Sequence, residues 1–246
     1  MRLLSYNIRF GGVGRAQQIA SVIRECDPDL VILQEATRPN VVEAIANAAG
    51  MKHWGAKPGY SVAFLSRIEV KNYRWQELTN LKRPFLEIAL TNSDTMIFGV
   101  HLSAIHSNWT ERRRTRELKA LLECIKDHRK GFHVLTGDFN TLAPGERLDM
   151  RRLPRRLRLL ALILGGRVRY KTIQTMLDEG YIDSYRLLCT DDGFTFPTWD
   201  PHVRLDYVFV PADHLNRVAS CEVMDKVALA REASDHFPLL SEIDIK

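Results

Sequence analysis

The sequence predicts a single α/β domain, residues 1–246, in which two mixed or antiparallel β-sheets pack face to face with helices outside. Segments of strand length recur along most of the chain, and helical segments interrupt them without the regular alternation of a parallel βαβ sheet. No internal repeat and no linker rich in Pro, Gly or Ser divides the sequence. Apolar residues make up 45% and charged residues 26%, which is ordinary for a globular domain and excludes a disordered or collagen-like chain.

The N-terminal elements alternate between strand and helix. Arg2–Arg9 is strand-like and ends at a pair of glycines. Ala16–Cys26 has the spacing of a helix with one apolar face, and it stops before Pro28. A short apolar strand at Leu30–Leu33 and a second helix at Asn40–Ala49 follow.

Most of the remaining chain is predicted to form strands, with one long polar helix at Thr110–His128. Short runs rich in apolar and β-branched residues, bounded by turn residues, indicate the strands. They are Ser61–Leu65, Ile68–Trp75, Phe85–Leu90, Thr95–Leu102, His133–Leu135, Arg204–Val210, Val218–Val223 and Phe237–Ile245.

Positive charge is concentrated in one segment. The chain has a formal net charge of +5, but residues 147–171 alone carry +8, so the rest is acidic overall. A single basic patch favours one contact surface over a general affinity for nucleic acid. We treat residues 145–171 as a basic helical insert within the domain.

The sequence is typical of a cytoplasmic protein. No apolar run approaches the roughly 20 residues of a membrane-spanning helix, and the N-terminus lacks the pattern of a secretory signal. The four cysteines are dispersed and form neither a CxxC motif nor a Cys/His cluster, so reduced thiols are expected.

Polar side chains recur where apolar strands end, and loops at strand ends are where sites are usually built. The candidates are Asn7, Glu35, His101, Asp138, Asn140, Asp206, Asp235 and His236. Some have ordinary structural explanations: Asp138 in a turn, Glu35 as a cap of the next helix, Asp235 as the cap of a turn. Asp206 is harder to explain in this way, because it lies inside an apolar strand where a buried charge needs a partner.

As a set, these residues favour a hard cation. They supply carboxylates, amides and imidazoles without any cysteine, which suits Mg²⁺ or Mn²⁺ better than zinc. The set also contains an aspartate and a histidine that could form an orienting pair.

Six short motifs occur in a fixed order. They are Ser5-Tyr6-Asn7, Leu33-Gln34-Glu35, His101-Leu102-Ser103, Gly137-Asp138-Phe139-Asn140, Arg204-Leu205-Asp206-Tyr207 and Ser234-Asp235-His236. In their order and spacing, from Met1 to about Leu239, the sequence resembles the endonuclease/exonuclease/phosphatase superfamily, also called DNase I-like. The resemblance implies a four-layered α/β sandwich, with two central β-sheets flanked by helices. It also implies divalent-metal-dependent hydrolysis of phosphate esters.

The resemblance implies a metal site as well. Glu35 would be the principal ligand, with Asn7 beside it and Asp235 near the metal. A divalent ion neutralises phosphoryl oxygens that would otherwise repel hydroxide, so this chemistry agrees with the implied activity.

The remaining positions would act on the substrate. By the same resemblance, Asp138 would orient or deprotonate the attacking water, and Asn140 would hold phosphate or water. His236, held by Asp206, would contact the scissile phosphate. His101 would be the second active-site histidine; in the nuclease branch that histidine has a glutamate partner, and no equivalent glutamate is apparent here.

The insert has three interpretations. On a helical wheel, leucines form one stripe and arginines the opposite arc. These are Leu153, Leu157, Leu160 and Leu164, and Arg151, Arg152, Arg155, Arg156 and Arg158. An ordinary helix that packs its leucines on the sandwich is favoured over a phosphate-backbone contact. A contact with an anionic membrane surface ranks third.

An aromatic segment at residues 194–199 precedes the strand that carries Asp206. Its rings could stack on bases or cover a lipid-like group. The plainer interpretation, which we favour, is a loop anchored in the core by Phe196 and Trp199.

These observations support a Mg²⁺- or Mn²⁺-dependent phosphodiester hydrolase, nuclease-like, whose partner is a phosphodiester substrate such as nucleic acid. One alternative is a phosphoesterase acting on lipid head groups or small-molecule phosphoesters. Another is a catalytically inactive binding scaffold, against which the intact set of candidate residues speaks.

Overall fold

The computed structural model describes residues 1–77, 83–91, 93–104, 108–146, 149, 151–152 and 169–246. The strands in these residues are β1 (Arg2–Asn7), β2 (Leu30–Gln34), β3 (His53–Gly55), β4 (Val62–Ser66), β5 (Val70–Gln76), β6 (Phe85–Leu90), β7 (Met96–His101), β8 (His133–Asp138), β9 (Tyr181–Asp183), β10 (Asp206–Pro211), β11 (Val218–Val223) and β12 (Leu239–Ile243). The α-helices are α1 (Ala16–Cys26), α2 (Pro39–Ala49), α3 (Asn108–Cys124), α4 (Lys171–Asp178), α5 (Ser184–Leu188) and α6 (Ala230–Ala233).

The strands form two mixed sheets of six strands each. The first has the order β11-β12-β1-β2-β4-β3, and the second has the order β5-β6-β7-β8-β10-β9. Each sheet contains one parallel pair near its centre, β1 with β2 and β7 with β8, and its other pairs are antiparallel. This is the flanked two-sheet sandwich that the sequence predicts.

Three apolar layers hold the sandwich together, and β2 shows how. Ile32 points between the sheets, where it packs in one cluster with residues of the second sheet such as Val208. Its neighbours Val31 and Leu33 point to the other face, against the apolar sides of α1 and α2. A strand buried on both faces needs a continuous apolar run rather than alternation, which is why Leu30–Gln34 has this composition.

The third layer lies under α3 and α4. It consists of the outer face of the second sheet and the buried side of those helices, with Leu118, Ile173 and Phe209 among its members. Four layers of secondary structure therefore surround three cores, which agrees with the implied four-layered sandwich. None of the helices within the described ranges is long and apolar enough to cross a membrane.

The predicted elements differ from the observed ones mainly at their ends. Ala16–Cys26, Phe85–Leu90 and Val218–Val223 have the predicted limits. The predicted helix to His128 ends at Cys124 and continues as a 3₁₀ turn at Lys126–Lys130. The helix predicted within residues 145–171 lies outside the described residues, apart from its flanks.

Candidate active site

The last residues of the two parallel strand pairs lie close together. Asn7 ends β1 opposite Gln34 of β2, and His101 ends β7 opposite Asp138 of β8. Asp206 begins β10 directly opposite Asp138. The two sheets meet here, because Asn7 Nδ2 donates a hydrogen bond of 3.0 Å to Asp138 Oδ2.

Glu35 follows β2 in a left-handed conformation, with φ 58°. Its Oε2 accepts a hydrogen bond of 2.6 Å from the backbone N–H of Phe10, and its Oε1 lies 3.5 Å from Asn7 Nδ2. The alternative that Glu35 caps the next helix is wrong, because α2 has Arg38 at its N-cap and receives no side-chain cap there. Glu35 instead lines a cleft of about 710 Å³ together with His101.

Asp138 is buried at the centre of the site. Its Oδ1 accepts a hydrogen bond of 2.8 Å from the backbone N–H of Asn140, whose side chain donates to the Leu102 carbonyl at 3.1 Å. Burial raises the pKa of Asp138 to about 7; nearby Asp206 adds to this effect, whereas His236 opposes it. A carboxyl group with such a pKa is suited to accept a proton near neutral pH.

The strand residue before Asp138 must be glycine. Gly137 has φ 144°, and a Cβ at this position would lie 1.9 Å from the Val100 carbonyl oxygen. Parallel β7 therefore approaches β8 closely at the residue that precedes the central carboxylate.

His236 and Asp206 form the predicted pair. His236 Nδ1 lies 2.8 Å from Asp206 Oδ2, and both side chains are buried. Burial alone would lower the pKa of His236, but the charge and hydrogen bond of Asp206 outweigh it and raise that pKa to about 10. His236 is therefore an imidazolium at neutral pH, and its Nε2 lies 4.0 Å from Asp138 Oδ2.

His101 has a cationic partner, Arg83. Arg83 Nη1 lies 3.0 Å from His101 Nδ1. Burial, assisted by the positive charges of Arg83 and His236, holds the pKa of His101 well below its usual value. His101 Nε2 lies 3.8 Å from Asp138 Oδ2 and is buried without a hydrogen-bond partner in the described structure. Sequence reasoning missed Arg83 because it belongs to none of the motifs.

Asp235 lies at the margin of the site, where Arg9 Nε is 3.3 Å from its Oδ2. The Arg9 guanidinium lies 5.3 Å from the ring centroid of Phe10 and 5.9 Å from that of Trp199. Phe10 and Trp199 are 74% and 64% exposed, the largest values among the large apolar residues of the described chain. We call Arg9, Phe10 and Trp199 the aromatic rim.

The expectation that Trp199 anchors its loop in the core is therefore wrong. Phe196 does anchor it, since its ring packs on the His236 ring at a centroid distance of 4.8 Å. Trp199 lies in the following turn, where its ring centroid is 6.3 Å from that of Phe196 and 5.9 Å from the Arg9 guanidinium.

The donor chemistry of the site fits a hard divalent cation. Asp138, Asp206 and His236 offer ligand atoms within 4.8 Å of one another, although the hydrogen bond between Asp206 and His236 already engages one atom of each. Glu35 offers a carboxylate that lines the cleft. Asn7 Oδ1 accepts from the Arg9 N–H at 3.0 Å, so this amide presents its nitrogen to the carboxylates. Oxygen-rich sets of this kind suit Mg²⁺ or Mn²⁺.

The basic insert is described only at its flanks. Arg152 Nη1 donates to the Pro201 carbonyl at 3.0 Å and lies 3.6 Å from Asp200 Oδ1. The Arg169 carbonyl accepts from Thr141 Oγ1 at 3.0 Å. Both flanks therefore attach to loops that lead into the site.

Comparisons with known proteins agree with the fold. A model of the Endonuclease/Exonuclease/phosphatase family matches residues 4–236. A search of curated proteins gave no significant match.

Solved structures match over the whole chain. A 3′ phosphatase from Neisseria, bound to a product DNA hairpin, is 20% identical with a TM-score of 0.73, covering 99% of each chain. An AP endonuclease from Archaeoglobus fulgidus is 18% identical with a TM-score of 0.75, covering 100% of each chain. Truncated Caenorhabditis elegans TDP2 is 16% identical with a TM-score of 0.66, covering 98% of this chain and 95% of its own. At these identities the likeness shows the shared fold.

Proposed function

Since the chain belongs to the Endonuclease/Exonuclease/phosphatase family, we propose that it is a divalent-metal-dependent phosphodiester hydrolase that acts on nucleic acid. One observation carries the proposal: three side-chain nitrogens converge on Asp138 Oδ2. These are Asn7 Nδ2 at 3.0 Å, His101 Nε2 at 3.8 Å and His236 Nε2 at 4.0 Å. The two longer distances exceed hydrogen-bond range, so neither imidazole nitrogen is bonded to the carboxylate and each can donate to a bound phosphoryl oxygen.

Hydrolysis at this site requires a base and a group that stabilises the negative charge developing on the phosphoryl oxygens. Asp138 accepts the proton of the attacking water, for which its pKa near 7 is suited. His236 remains protonated at that pH and donates Nε2–H to a phosphoryl oxygen. The water oxygen then bonds to phosphorus, the bond to the leaving oxygen breaks, and solvent supplies the proton that this oxygen takes.

Glu35 would hold the cation, with Asp235 near it. A bound divalent cation supplies neutralisation of the phosphoryl oxygens and of the leaving oxygen. Arg9 Nε lies 3.3 Å from Asp235 Oδ2, so this guanidinium would compete with a cation for the carboxylate.

The aromatic rim favours nucleic acid over a lipid head group. Exposed rings with a guanidinium between them suit the faces of unpaired bases, and such stacking is worth about 1–3 kcal/mol per base. Two of the structural neighbours are described as a 3′ phosphatase bound to DNA and as an AP endonuclease, which supports the same substrate class.

The test is a hydrolysis screen with Mg²⁺ or Mn²⁺ over bis-p-nitrophenyl phosphate, single-stranded DNA, duplex DNA, abasic DNA, RNA and phospholipids. We expect hydrolysis of the chromogenic diester and of a nucleic acid, with loss of both in Asp138→Asn and His236→Asn. The exposed Asp213→Asn should retain both activities. Cleavage of phospholipids with nucleic acids untouched would select the head-group alternative. Binding of nucleic acid without hydrolysis of any diester would select the scaffold.

The role of the rim is separable from the chemistry. Phe10→Ala and Trp199→Ala should raise KM for an oligonucleotide by about tenfold, because each removes one stacking surface. Hydrolysis of bis-p-nitrophenyl phosphate should remain within about twofold, since that substrate carries no base. Leu215→Ala, another exposed apolar residue, is the matched control. Equal losses on both substrates would remove the rim from the proposal.

A further inference from the structure

The partner of His101 decides which of its ring nitrogens carries the proton. Arg83 Nη1 lies 3.0 Å from His101 Nδ1, and a guanidinium donates hydrogen bonds but cannot accept them. His101 Nδ1 must therefore be the acceptor, which leaves the proton of the neutral ring on Nε2.

We infer that Arg83 is a positioning residue that fixes His101 as the Nε2–H tautomer, so that the ring presents a hydrogen-bond donor to the phosphoryl group bound beside Asp138. The identity of that acceptor rests on the proposed function. The assignment of the tautomer rests on the geometry alone.

A second observation shows where this donor points. His101 Nε2 is buried without a partner in the described structure, and a buried donor of this kind is destabilising unless something accepts from it. It lies 3.8 Å from Asp138 Oδ2, which is too long for a hydrogen bond. The donor is therefore left for an oxygen atom that a bound ligand supplies.

The partners of the two histidines therefore act on Nδ1 in opposite ways, and both leave Nε2–H free to donate to one ligand. Asp206 accepts from Nδ1 of His236, whereas Arg83 donates to Nδ1 of His101. Both rings direct Nε2 towards Asp138 Oδ2, at 4.0 Å and 3.8 Å. The result is one cationic donor and one neutral donor, so two donors reach the phosphoryl oxygens although only one imidazole carries charge.

The direct test is nuclear magnetic resonance of the ¹⁵N-histidine-labelled, full-length protein without metal, because unprotonated and protonated ring nitrogens are distinguished by their shifts. At pH 7.5 we expect His101 to show an unprotonated Nδ1 and a protonated Nε2. Arg83→Glu replaces the donor by an acceptor and should protonate Nδ1, whereas Arg83→Lys should leave it unprotonated. Arg116→Glu on the exposed face of α3 is the control and should change neither nitrogen.

A kinetic cycle then tests whether Arg83 acts through His101. His101→Ala should lower kcat on bis-p-nitrophenyl phosphate by roughly 10²-fold, the usual effect of removing one transition-state donor. Arg83→Met should lower kcat with little change in KM, and Arg83→Lys should restore most of the loss. In the His101→Ala background, Arg83→Met should change kcat less than about twofold.

The inference is overturned if wild-type His101 carries its proton on Nδ1, or if Arg83→Met lowers kcat equally with and without His101. The second result would mean that Arg83 contacts the substrate itself. If no diester is hydrolysed while the expected tautomer is observed, the proposed function fails and the assignment of the tautomer stands.

Discussion

Replacement of Asp206 by asparagine removes the charge that keeps His236 protonated, while an oxygen remains to accept from Nδ1. The hydrogen bond of 2.8 Å between the two side chains is therefore retained in a neutral form. The ring keeps its position against Phe196 and loses its preference for the cation. The variant thus separates the geometry of His236 from its charge.

The pKa of His236 sets the magnitude. It is raised from 6.5 to about 10, mainly by Asp206 and against the effect of burial. At about 1.4 kcal/mol per pKa unit, the folded protein favours the imidazolium by on the order of 4–5 kcal/mol. Without the carboxylate, burial dominates, so the pKa of His236 in Asp206→Asn should fall below 6.5.

Stability and activity should then respond to pH in a defined direction. A raised histidine pKa stabilises the fold fully below pH 6.5, and this stabilisation is lost as pH rises through about 10. The difference in unfolding free energy between wild type and Asp206→Asn should thus be largest in acid and shrink towards pH 10. The kcat/KM of the variant for bis-p-nitrophenyl phosphate should fall as pH rises above about 6, where wild type retains its imidazolium.

The assays are urea denaturation from pH 5 to 10, a ¹⁵N titration of His236, and kcat/KM over the same range. Asp213→Asn is the control for loss of one exposed carboxylate. If His236 in Asp206→Asn remains an imidazolium to pH 9, then Asp138 and Asp235 hold the charge and the pairing argument is refuted.

Further predictions concern the residues around Asp138. Gly137→Ala should fail to fold or should melt far below wild type in thermal denaturation, because its Cβ would lie 1.9 Å from the Val100 carbonyl oxygen; a melting temperature within a few degrees of wild type would contradict this. Glu35→Gln should weaken Mg²⁺ binding in calorimetric titration, whereas Asp138→Asn should lower kcat with little loss of Mg²⁺ affinity. Equal losses of affinity in the two variants would show that both carboxylates bind the metal. Since burial raises the pKa of Asp138 from 3.8 to about 7, the folded metal-free protein binds more protons than the unfolded chain in that interval, so this carboxyl makes stability fall as pH rises. In urea denaturation between pH 4 and 8, Asp138→Asn should remove this decrease of the unfolding free energy with pH. An unaltered dependence on pH would show that folding does not raise the pKa of Asp138.

Strands could be predicted from the sequence where burial of both their faces requires a continuous apolar run. Phe85–Leu90 is an apolar strand whose residues are almost all buried, and its limits agree with the prediction. Strands β3 and β9 were missed, because each has three residues and lies at the edge of its sheet. Residues this few have no periodicity to detect, and their pairing depends on a neighbour elsewhere in the chain.

The sequence predicts which residues belong to the site, but it does not predict which of them contact one another. Strand-end placement singles out Asn7 and Asp138, and it cannot state that an amide of one sheet donates to a carboxylate of the other. Arg83 carries no local signal, because its importance comes from the 3.0 Å approach to His101, which only the folded sheet creates. The approach of Arg9 to the Trp199 ring likewise joins residues that are far apart in the sequence.

The position of Asp138 connects the packing of the sandwich to its chemistry. A carboxylate at a strand end would normally remain hydrated, with an ordinary pKa. Here the first sheet brings Asn7 to within 3.0 Å, and the closure of the two sheets excludes water from Asp138. The same packing that buries the central core therefore makes this acid basic enough to accept a proton near neutral pH. Substitutions that admit water to Asp138 while keeping the hydrogen bond from Asn7 should hence lower the pKa of Asp138 and impair catalysis before they unfold the protein.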